Sequence, residues 1–319
     1  MTAYLIPMSA DAFSPKTSQF AAAVAAGLSA TPKAISPKWL YDPLGAKLFD
    51  AITELPEYYL SRAEVALFED VMPQAVAGLG QGVRVVELGA GSASKTPLLL
   101  EALDRPALYA PIDIAEPALR AGAKLIQERF PQLTVQPMAA DFTTGWRPPE
   151  GPGRTLCFFP GSTIGNFDPA AAVALLRHAR EVLGERCVML VGVDTPKDES
   201  VLIPTYDDAL GVTAAFNANL LVRINRELDA AIDVQSFSHE ARWNAAESRI
   251  EMHLVSLLPQ RLITSAGVFA FEAGESIHTE NSYKWSPEGF KSLASRAGWR
   301  STGLWLGADD GFALHRLEA

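Results

Sequence analysis

The chain is poor in cysteine and has no long hydrophobic run. Its 319 residues include two cysteines, Cys157 and Cys187, which are too few for a disulfide framework. Both lie in apolar runs, so we interpret them as small core residues of a protein in a reducing compartment. No window reaches the roughly 18 apolar residues of a membrane-spanning helix, and no basic region precedes an apolar segment near the N-terminus. We therefore expect a cytoplasmic protein with no membrane partner.

Positive charge and metal-binding motifs are also scarce. Lysine and arginine number 27 against 37 aspartates and glutamates, a net charge of −10, which argues against binding of nucleic acid through a broad basic face. The five histidines are scattered, without an HExxH or Cys-x-x-Cys motif, so we predict no metal site. Hydrophobic residues make up 48% of the chain, enough for a sizeable core, and the length suits about two domains. We expect a globular enzyme.

Short apolar runs alternate with helical patterns between about residues 83 and 193. The predicted strands are Val83–Leu88, Leu108–Ile114, Leu133–Met138, Thr155–Phe159 and Cys187–Val193. The predicted helices between them are Thr96–Leu103, Pro117–Glu128 and Pro169–Leu183. This alternation indicates an α/β fold with a parallel sheet covered on both faces.

The flanking regions have a different pattern. Residues 1 to about 60 contain helical segments and then a loop rich in proline and aromatic residues. Residues 196–250 are again helical in pattern, and roughly 55 residues separate the fifth strand from the next, too many for an ordinary connection. We therefore expect a second domain or a lid. The elements predicted after residue 195 are a long helix Asp207–Leu228, strands Ile250–Leu258 and Gly267–Phe271, a helix Ser286–Arg296 and an edge strand Phe312–Leu317.

The most informative segment is the turn Val85-Val86-Glu87-Leu88-Gly89-Ala90-Gly91-Ser92-Ala93-Ser94-Lys95. Gly89 and Gly91 allow a tight strand-to-helix turn and close approach of a ligand. Asp113 ends the next apolar run, where an acid would bind the hydroxyls of a ribose. Asp141 and Phe142 follow the third strand and would bind an adenine amino group and stack on its ring. Together these strand ends predict a nucleoside-binding crevice.

The turn favours a cofactor without a diphosphate. A dinucleotide fingerprint needs a third glycine where this chain has Ser94, which weighs against a nicotinamide-dependent oxidoreductase without removing that alternative. A non-catalytic nucleoside-binding module is a further alternative. The E-x-G-x-G turn with acids after the next two strands resembles the class I S-adenosylmethionine-dependent methyltransferases, whose sulfonium cofactor carries no phosphate.

Longer motifs narrow the resemblance. The chain resembles the histidine N-alpha-methyltransferase family, which forms hercynine in ergothioneine biosynthesis, from about residue 25 to the C-terminus. The motifs that carry the resemblance are PKWLYD at 37–42, LPEYY at 55–59, FPGSTIGN at 159–166, YDD at 206–208, GVTAAFN at 211–217 and REL at 226–228. It implies a Rossmann-like class I methyltransferase domain, residues 61–195 plus 286–319, and a second, discontinuous substrate-binding domain, residues 1–60 plus 196–285. The stretch at 283–287 departs most from the family pattern.

The resemblance also assigns site residues. On the cofactor side they are Tyr41, Phe49, Gly89, Lys95, Asp113, Asp141 and Phe142. On the substrate side they are Tyr58, Gly161, Asn166, Tyr206, Glu280 and Ser282. Within the second set, Asn166 and Tyr206 are expected on the substrate's carboxylate, and Glu280 and Ser282 on its imidazole.

The chemistry of the reaction gives reasons for these residue types. Methyl transfer needs a neutral amine at short distance, and the hydroxyls of Tyr41 or Tyr58, or a water they hold, would accept the leaving proton and orient the nitrogen. An aromatic wall suits the quaternary product. Glu280 and Ser282 lie two apart on an extended segment and so share a face, although the pattern alone favours a solvated strand face.

We therefore predict a monomeric enzyme that uses S-adenosylmethionine to trimethylate the α-amino group of L-histidine. The nearest alternative is an N-methyltransferase of the same fold that acts on another aromatic amino acid, tryptophan especially, but an indole presents a single N–H and suits an acid–hydroxyl pair less well.

Overall fold

The structure, a computed structural model, describes residues 15–151 and 153–319. Any helical segment expected before Pro15 lies outside these residues. The α-helices in the described part are α1 (Pro15–Ser29), α2 (Pro43–Thr53), α3 (Tyr59–Ala75), α4 (Thr96–Ala102), α5 (Glu116–Arg129), α6 (Pro169–Leu183), α7 (Glu199–Tyr206), α8 (Val212–Glu227) and α9 (Pro287–Arg296). Among the described residues, no helix combines the length and the apolar character needed to cross a bilayer.

The strands of residues 15–151 and 153–319 form three sheets. In chain order they are β1 (Lys33–Ala34), β2 (Arg84–Leu88), β3 (Leu108–Asp113), β4 (Thr134–Val135), β5 (Met138–Ala139), β6 (Thr155–Phe159), β7 (Val188–Asp194), β8 (Phe237–Asn244), β9 (Arg249–Ser256), β10 (Gln260–Thr264), β11 (Gly267–Phe271), β12 (Ser276–Tyr283), β13 (Arg300–Leu306) and β14 (Phe312–Glu318). The largest sheet has the order β13-β14-β7-β6-β2-β3-β4, with β5 also pairing with β3.

The large sheet is parallel from β4 to β7, and β14 runs antiparallel to both of its neighbours. Its side chains alternate between two buried faces, as strand geometry requires. Leu156 and Phe158 pack into the core that includes α3 and α4, whereas Cys157 and Phe159 pack into the core that includes α6 and α9. Cys157 is therefore a buried core residue, as predicted, and its thiol is free.

A second sheet has the order β1-β12-β9-β8, and β10 and β11 form a separate hairpin. A third apolar core, which includes Phe20 of α1, Phe216 of α8 and Ile250 of β9, packs on these strands. The segment that follows β6 reaches this sheet because Gly165 can approach β12 closely. A Cβ at this position would lie 2.8 Å from the carbonyl oxygen of Tyr283.

The start of α2 is tied to α8. Asp42 caps α2, since its Oδ1 accepts a hydrogen bond of 2.7 Å from the backbone N–H of Gly45, as N-cap carboxylates do. The same oxygen accepts a bond of 2.7 Å from the Asn219 amide, and Oδ2 accepts one of 2.6 Å from Arg226. These bonds hold Asp42 in place, and Asp42 is the residue that follows Tyr41 in the chain.

Three predictions of the length or type of an element differ from the structure. The predicted strand Leu133–Met138 is split into β4 and β5, because Pro137 between them cannot donate to a ladder. The predicted helix Asp207–Leu228 begins only at Val212, because the Asp208 carboxylate accepts hydrogen bonds from the amides of Val212 and Thr213 and caps α8 there. The prediction of a helical pattern up to residue 250 also missed β8.

The C-terminal segment is a strand, as predicted, but its predicted position in the sheet is wrong. β14 covers the predicted Phe312–Leu317, but it lies between β7 and β13 and is not an edge strand. The run Phe312–His315 is fully buried, as expected of an internal strand. The edge is β13, which the sequence analysis did not predict.

Candidate active site

A cavity of about 640 Å³ opens at the carboxyl ends of the parallel strands and is closed on the other side by β12 and α8. Every site residue predicted from the sequence except Lys95 lines it. The volume lies in the range of pockets for small molecules.

The glycine turn after β2 forms one end of the cavity. Gly89 has φ +68° and Gly91 has φ +49°, in the region that favours glycine. A Cβ on Gly91 would point into open space, so a ligand can approach the backbone there. The Asp113 carboxylate accepts hydrogen bonds from the amide of Gly91 at 2.9 Å and from that of Ala115 at 2.7 Å, each to a different oxygen. One lone pair on each oxygen remains for a ligand hydroxyl.

Asp141 and Phe142 lie beside this turn. One Asp141 oxygen accepts hydrogen bonds from the amide and hydroxyl of Thr143, and the other lies 3.2 Å from the Lys38 ammonium. Burial opposes ionisation of Asp141, but these bonds prevail and lower its pKa. The Phe142 ring packs edge-on against Phe159 at 5.6 Å.

Lys95 is placed differently from the other predicted residues. Its ammonium is paired with Glu64 of α3, a side chain that is fully buried. The other Glu64 oxygen accepts a hydrogen bond of 2.7 Å from the backbone N–H of Gly161. Lys95 thus lies behind the loop that carries Gly161 and does not line the cavity. Gly161 itself has φ +78°.

Aromatic side chains form the wall between the two ends of the cavity. The Tyr41 ring packs edge-on against Phe49 at 5.6 Å and against Phe216 at 5.3 Å. Phe49 also packs against Tyr58 at 6.2 Å, and Tyr58 against Tyr206 at 6.4 Å.

The tyrosines of this wall stay protonated. Burial raises the pKa of Tyr41 well above its ordinary value, and the charges of Glu280 and Asp113 raise it further. Burial and nearby acidic groups, Glu280 among them, raise the pKa of Tyr58 in the same way. These hydroxyls can orient a ligand by hydrogen bonds, but they are poor sources of a phenolate base.

Glu280 and Asn166 face each other at the other end of the cavity. Burial raises the pKa of Glu280 to about 8, although a hydrogen bond from the Asn166 side chain and the charge of Lys284 act in the opposite direction. Asn166 ends the turn Thr163–Asn166, which reaches β12 through Gly165. Asn166 and Glu280, expected on different parts of the substrate, are therefore neighbours in the structure.

Ser282 lies next to Glu280 on the same face of β12, as the spacing predicts, and both side chains are buried. Its Oγ lies 2.7 Å from the Tyr206 hydroxyl. The Lys284 ammonium donates to both oxygens, at 2.8 Å to Tyr206 and 2.9 Å to Ser282. Lys284 is balanced by Asp194, whose carboxylate lies 2.7 Å away, and neither side chain is exposed.

Lys284 and Asp194 are not among the residues predicted from the sequence, although each has a recognisable signal. Asp194 ends the fifth parallel strand, just as Asp113 ends the second. Lys284 continues the alternation 280, 282, 284 on one face of a strand. Asp194 also accepts hydrogen bonds from the Tyr59 hydroxyl at 2.7 Å and from Lys197 at 2.5 Å.

Outside the cavity, Glu251, His253 and His278 lie together on β9 and β12, with possible ligand atoms within 4.8 Å of one another. The two imidazole rings stack with an interplanar angle of 15°, a geometry in which they cannot both direct a nitrogen at one ion. Glu251 is bonded to Arg249. We interpret the cluster as hydrogen-bonded packing between two strands.

The charges around the cavity fit a cationic cofactor. The acidic lining residues are Asp50, Asp113, Asp141 and Glu280, of which Glu280, with a pKa of about 8, carries little charge at neutral pH. Lys38 is the one lysine or arginine among the described residues that line the cavity. A pyrophosphate would meet carboxylates here, whereas a sulfonium is attracted by them. With the glycine turn and Asp113, these residues fit S-adenosylmethionine better than a nicotinamide dinucleotide.

Comparison with known proteins agrees with this geometry. The model of the family described as "Histidine-specific methyltransferase, SAM-dependent" matches residues 20–319. The histidine N-alpha-methyltransferase of Mycolicibacterium smegmatis is 39% identical over 296 residues, which cover 91% of this chain and 92% of that protein. The histidine N-alpha-methyltransferase of Mycobacterium tuberculosis is 40% identical over 296 residues, with the same coverage of 91% and 92%. The ergothioneine biosynthesis protein 1 of Neurospora crassa is 27% identical over 90% of this chain, which spans 33% of that protein.

The predicted Rossmann-like class I fold and the predicted cofactor are thus confirmed. A family model that spans almost the whole described chain, together with two relatives at about 40% identity, decides between the alternatives that the glycine turn left open. The chain belongs to the family of histidine-specific, S-adenosylmethionine-dependent methyltransferases.

Proposed function

We propose that this enzyme transfers methyl groups from S-adenosylmethionine to the α-amino group of L-histidine three times, giving hercynine for ergothioneine biosynthesis. The observation that carries the proposal is the pair Glu280 and Ser282, buried on one face of β12 and lining the same cavity as the glycine turn and Asp113. The names of the mycobacterial relatives support histidine as the substrate.

The cofactor end of the cavity would hold the nucleoside. Asp113 has free lone pairs for the ribose hydroxyls, and Asp141 and Phe142 lie where an adenine would need an acceptor and an aromatic face. Bound S-adenosylmethionine supplies an electrophilic methyl group on a sulfonium. Tyr41 and Phe49 would line the path between this end and the substrate, and we assign Lys95 an indirect role through Glu64 and Gly161.

The other end would hold the histidine. Glu280 would accept the N–H of the imidazole, and Ser282 would contact its second nitrogen. We propose Asn166 for the direct bond to the carboxylate, with Tyr206 beside it and Gly161 at the amino-acid end. Because Asn166 also bonds Glu280 and Tyr206 also bonds Ser282, the ring and carboxylate contacts would share one connected hydrogen-bond network.

The reacting nitrogen must be neutral, since an ammonium has no lone pair. A nearby sulfonium charge and burial both disfavour the ammonium form. Tyr41 and Tyr58, which keep their protons, would hold the nitrogen by hydrogen bonds, and the leaving proton would pass to water held by these hydroxyls. After the third transfer the quaternary nitrogen would face the aromatic wall, which attracts cations.

We also propose that the chain has two domains. The separate core of α1, α8 and the four-stranded sheet supports a substrate-binding domain of residues 1–60 plus 196–285, and the two cores of the large sheet support a methyltransferase domain of residues 61–195 plus 286–319. We also propose a monomer as the active form.

Mass spectrometry of products tests the proposed function. Purified protein is incubated with S-adenosylmethionine and a mixture of free amino acids, and the expected product is trimethylhistidine. Methylation of tryptophan or another amino acid instead would keep the fold and cofactor but overturn the role of Glu280 and Ser282. No methylated amino acid, with cofactor binding shown by calorimetry, would overturn the substrate class.

A further inference from the structure

Lys284 is an unusual residue to find directly behind a substrate pocket. Its side chain is fully buried, with no exposed surface, and burial alone lowers the pKa of a lysine. The residue does not line the cavity, yet it contacts two residues that do, Tyr206 and Ser282. It therefore acts on a ligand only through their hydroxyl groups.

The contact with the Lys284 ammonium limits the hydrogen bonds that the hydroxyls of Tyr206 and Ser282 can make with a ligand. The hydroxyls of Tyr206 and Ser282 together have two protons and four lone pairs. Their mutual hydrogen bond uses one proton and one lone pair, and the two bonds from the Lys284 ammonium use two more lone pairs. Whichever oxygen accepts the mutual bond then has both lone pairs occupied and one O–H free. That oxygen can donate to a ligand but cannot accept from it, and the other oxygen keeps a single free lone pair.

Electrostatics acts in the same direction. The ion pair with Asp194 at 2.7 Å favours the ammonium form of Lys284 and opposes the effect of burial on its pKa. An ammonium in direct contact with the two oxygens favours lone pairs that point towards it and O–H bonds that point away, into the cavity. It also disfavours a second positive charge on a ring placed against the same hydroxyls.

We propose that Lys284 is a positioning residue: with Tyr206 donating to Ser282, both lone pairs of Ser282 are occupied and its O–H is free for the ring. The pocket then selects a neutral ring with one N–H for Glu280 and one unprotonated nitrogen for Ser282. The inference rests on the proposed function and deepens it. In this proposal a residue that does not touch the substrate determines why the pocket prefers an imidazole to a ring without an acceptor nitrogen.

The test compares substrates across matched lysine variants. The substrates are L-histidine and the two pyrrolylalanine isomers, in which one or other ring nitrogen is replaced by C–H. Wild-type enzyme is expected to prefer histidine in kcat/KM by on the order of 100-fold or more, because a buried donor loses its partner with either isomer. In Lys284→Met this preference is expected to fall by about tenfold or more, while the Kd of S-adenosylhomocysteine changes less than about twofold.

Lys197→Met is the matched control. Lys197 pairs with the same Asp194 carboxylate at 2.5 Å but touches neither hydroxyl, so its variant is expected to keep the preference for histidine. A loss of kcat/KM in Lys284→Met that is equal for histidine and the isomers would overturn the proposal, because it would indicate packing alone. An equal loss of preference in Lys197→Met would also overturn it.

A measurement on the wild-type protein covers the case in which Lys284→Met does not fold. The ¹⁵N NMR spectrum of imidazole-labelled histidine, bound with S-adenosylhomocysteine, is expected to show one protonated and one unprotonated ring nitrogen. Two protonated nitrogens would overturn the role of Lys284 while leaving histidine as the substrate. Absence of histidine binding would instead contradict the proposed function itself.

Discussion

Glu64 of α3 accepts a hydrogen bond of 2.7 Å from the backbone N–H of Gly161 and pairs through its other oxygen with Lys95. One fully buried carboxylate therefore connects the helix that follows the glycine turn to the loop after β6. The contact explains how a lysine matched to the cofactor side can matter without lining the cavity.

Removing this carboxylate should destabilise both ends of the contact. Glu64→Ala leaves Lys95 without its partner and the Gly161 N–H unsatisfied, and we expect the free energy of unfolding to fall by about 3 kcal/mol or more. Glu64→Gln keeps an acceptor for Gly161 and should cost less. Urea denaturation of both variants measures the difference. Equal losses would indicate that the charge on Lys95, and not the Gly161 bond, determines the effect.

Glu280→Ala should separate substrate binding from cofactor binding. The variant removes the acceptor proposed for the imidazole N–H but touches no residue of the glycine turn, so we expect histidine affinity to fall on the order of 100-fold. The Kd of S-adenosylhomocysteine should stay within about threefold of the wild-type value. Calorimetry with each ligand measures both. Glu240→Ala, on an exposed part of β8, is the control and should change neither. An equal loss of both affinities in Glu280→Ala would contradict the assignment.

The raised pKa of Glu280 predicts a pH-dependent cost of burial. The folded-state value is about 8 against 4.5 for an unperturbed glutamate, so between these values the native state binds more protons than the unfolded state. Stability from this group is complete below pH 4.5 and is lost as the pH rises towards 8. Glu280→Gln does not titrate, and its stability relative to wild type should rise by at most about 1.4 kcal/mol per pH unit in this window. Thermal unfolding of both proteins at pH 5 and pH 8 checks the sign, and a pH-independent difference would contradict it.

Much of the cofactor site is predictable from local sequence. Gly89, Asp113 and Asp141 stand at strand ends whose apolar runs are easy to recognise, and parallel strands bring their carboxyl ends together. The substrate end is less predictable, because Glu280 and Ser282 meet Asn166 and Tyr206 only through the pairing of distant segments. Their roles came from family resemblance rather than from pattern.

The strands that were not predicted from the sequence also depend on the pairing of distant segments. β8 carries Ser, Glu, Arg and Asn on one partly exposed face and a His among the apolar residues of the other face, so its alternation of apolar and polar residues is weak. β13 also has few buried residues, since it is an edge strand. In both cases tertiary pairing, not local hydrophobicity, decides the structure. Lys284 was overlooked because a lysine is expected to be exposed, and only the structure shows the carboxylate that compensates its burial.

Tyr58→Phe should lower the rate of methyl transfer with little effect on folding. The hydroxyl lines the cavity and stays protonated, so its loss removes a hydrogen bond that orients the amine, and we expect kcat to fall by about tenfold to 100-fold. Single-turnover kinetics with saturating histidine measures the step. Tyr59→Phe is the neighbouring control. Its hydroxyl bonds Asp194 and does not line the cavity, so kcat should change by less than about threefold. Equal effects at both positions would argue against a specific role for Tyr58.

His315 should be a site where substitution stabilises the protein. It is fully buried in β14 beside the Phe290 ring, at 4.7 Å between centroids, and neither ring nitrogen has a hydrogen-bond partner among the described residues. A buried polar group without a partner costs about 1–3 kcal/mol. His315→Leu, of similar volume, is therefore expected to raise the melting temperature by about 2 to 4 °C at pH 8. His315→Gln keeps a polar side chain and should give no such gain.

The gain at His315 should grow in acid. Burial lowers the pKa of this histidine from 6.5 to about 4, so between these values the unfolded state binds the extra proton. The stability that the wild-type histidine retains above pH 6.5 is lost as the pH falls towards 4. His315→Leu has no such titration, and its advantage over wild type should increase between pH 7 and pH 5. Calorimetric scans across that range test this, and an advantage that shrinks in acid would show that the ring is protonated or hydrogen-bonded in the native state.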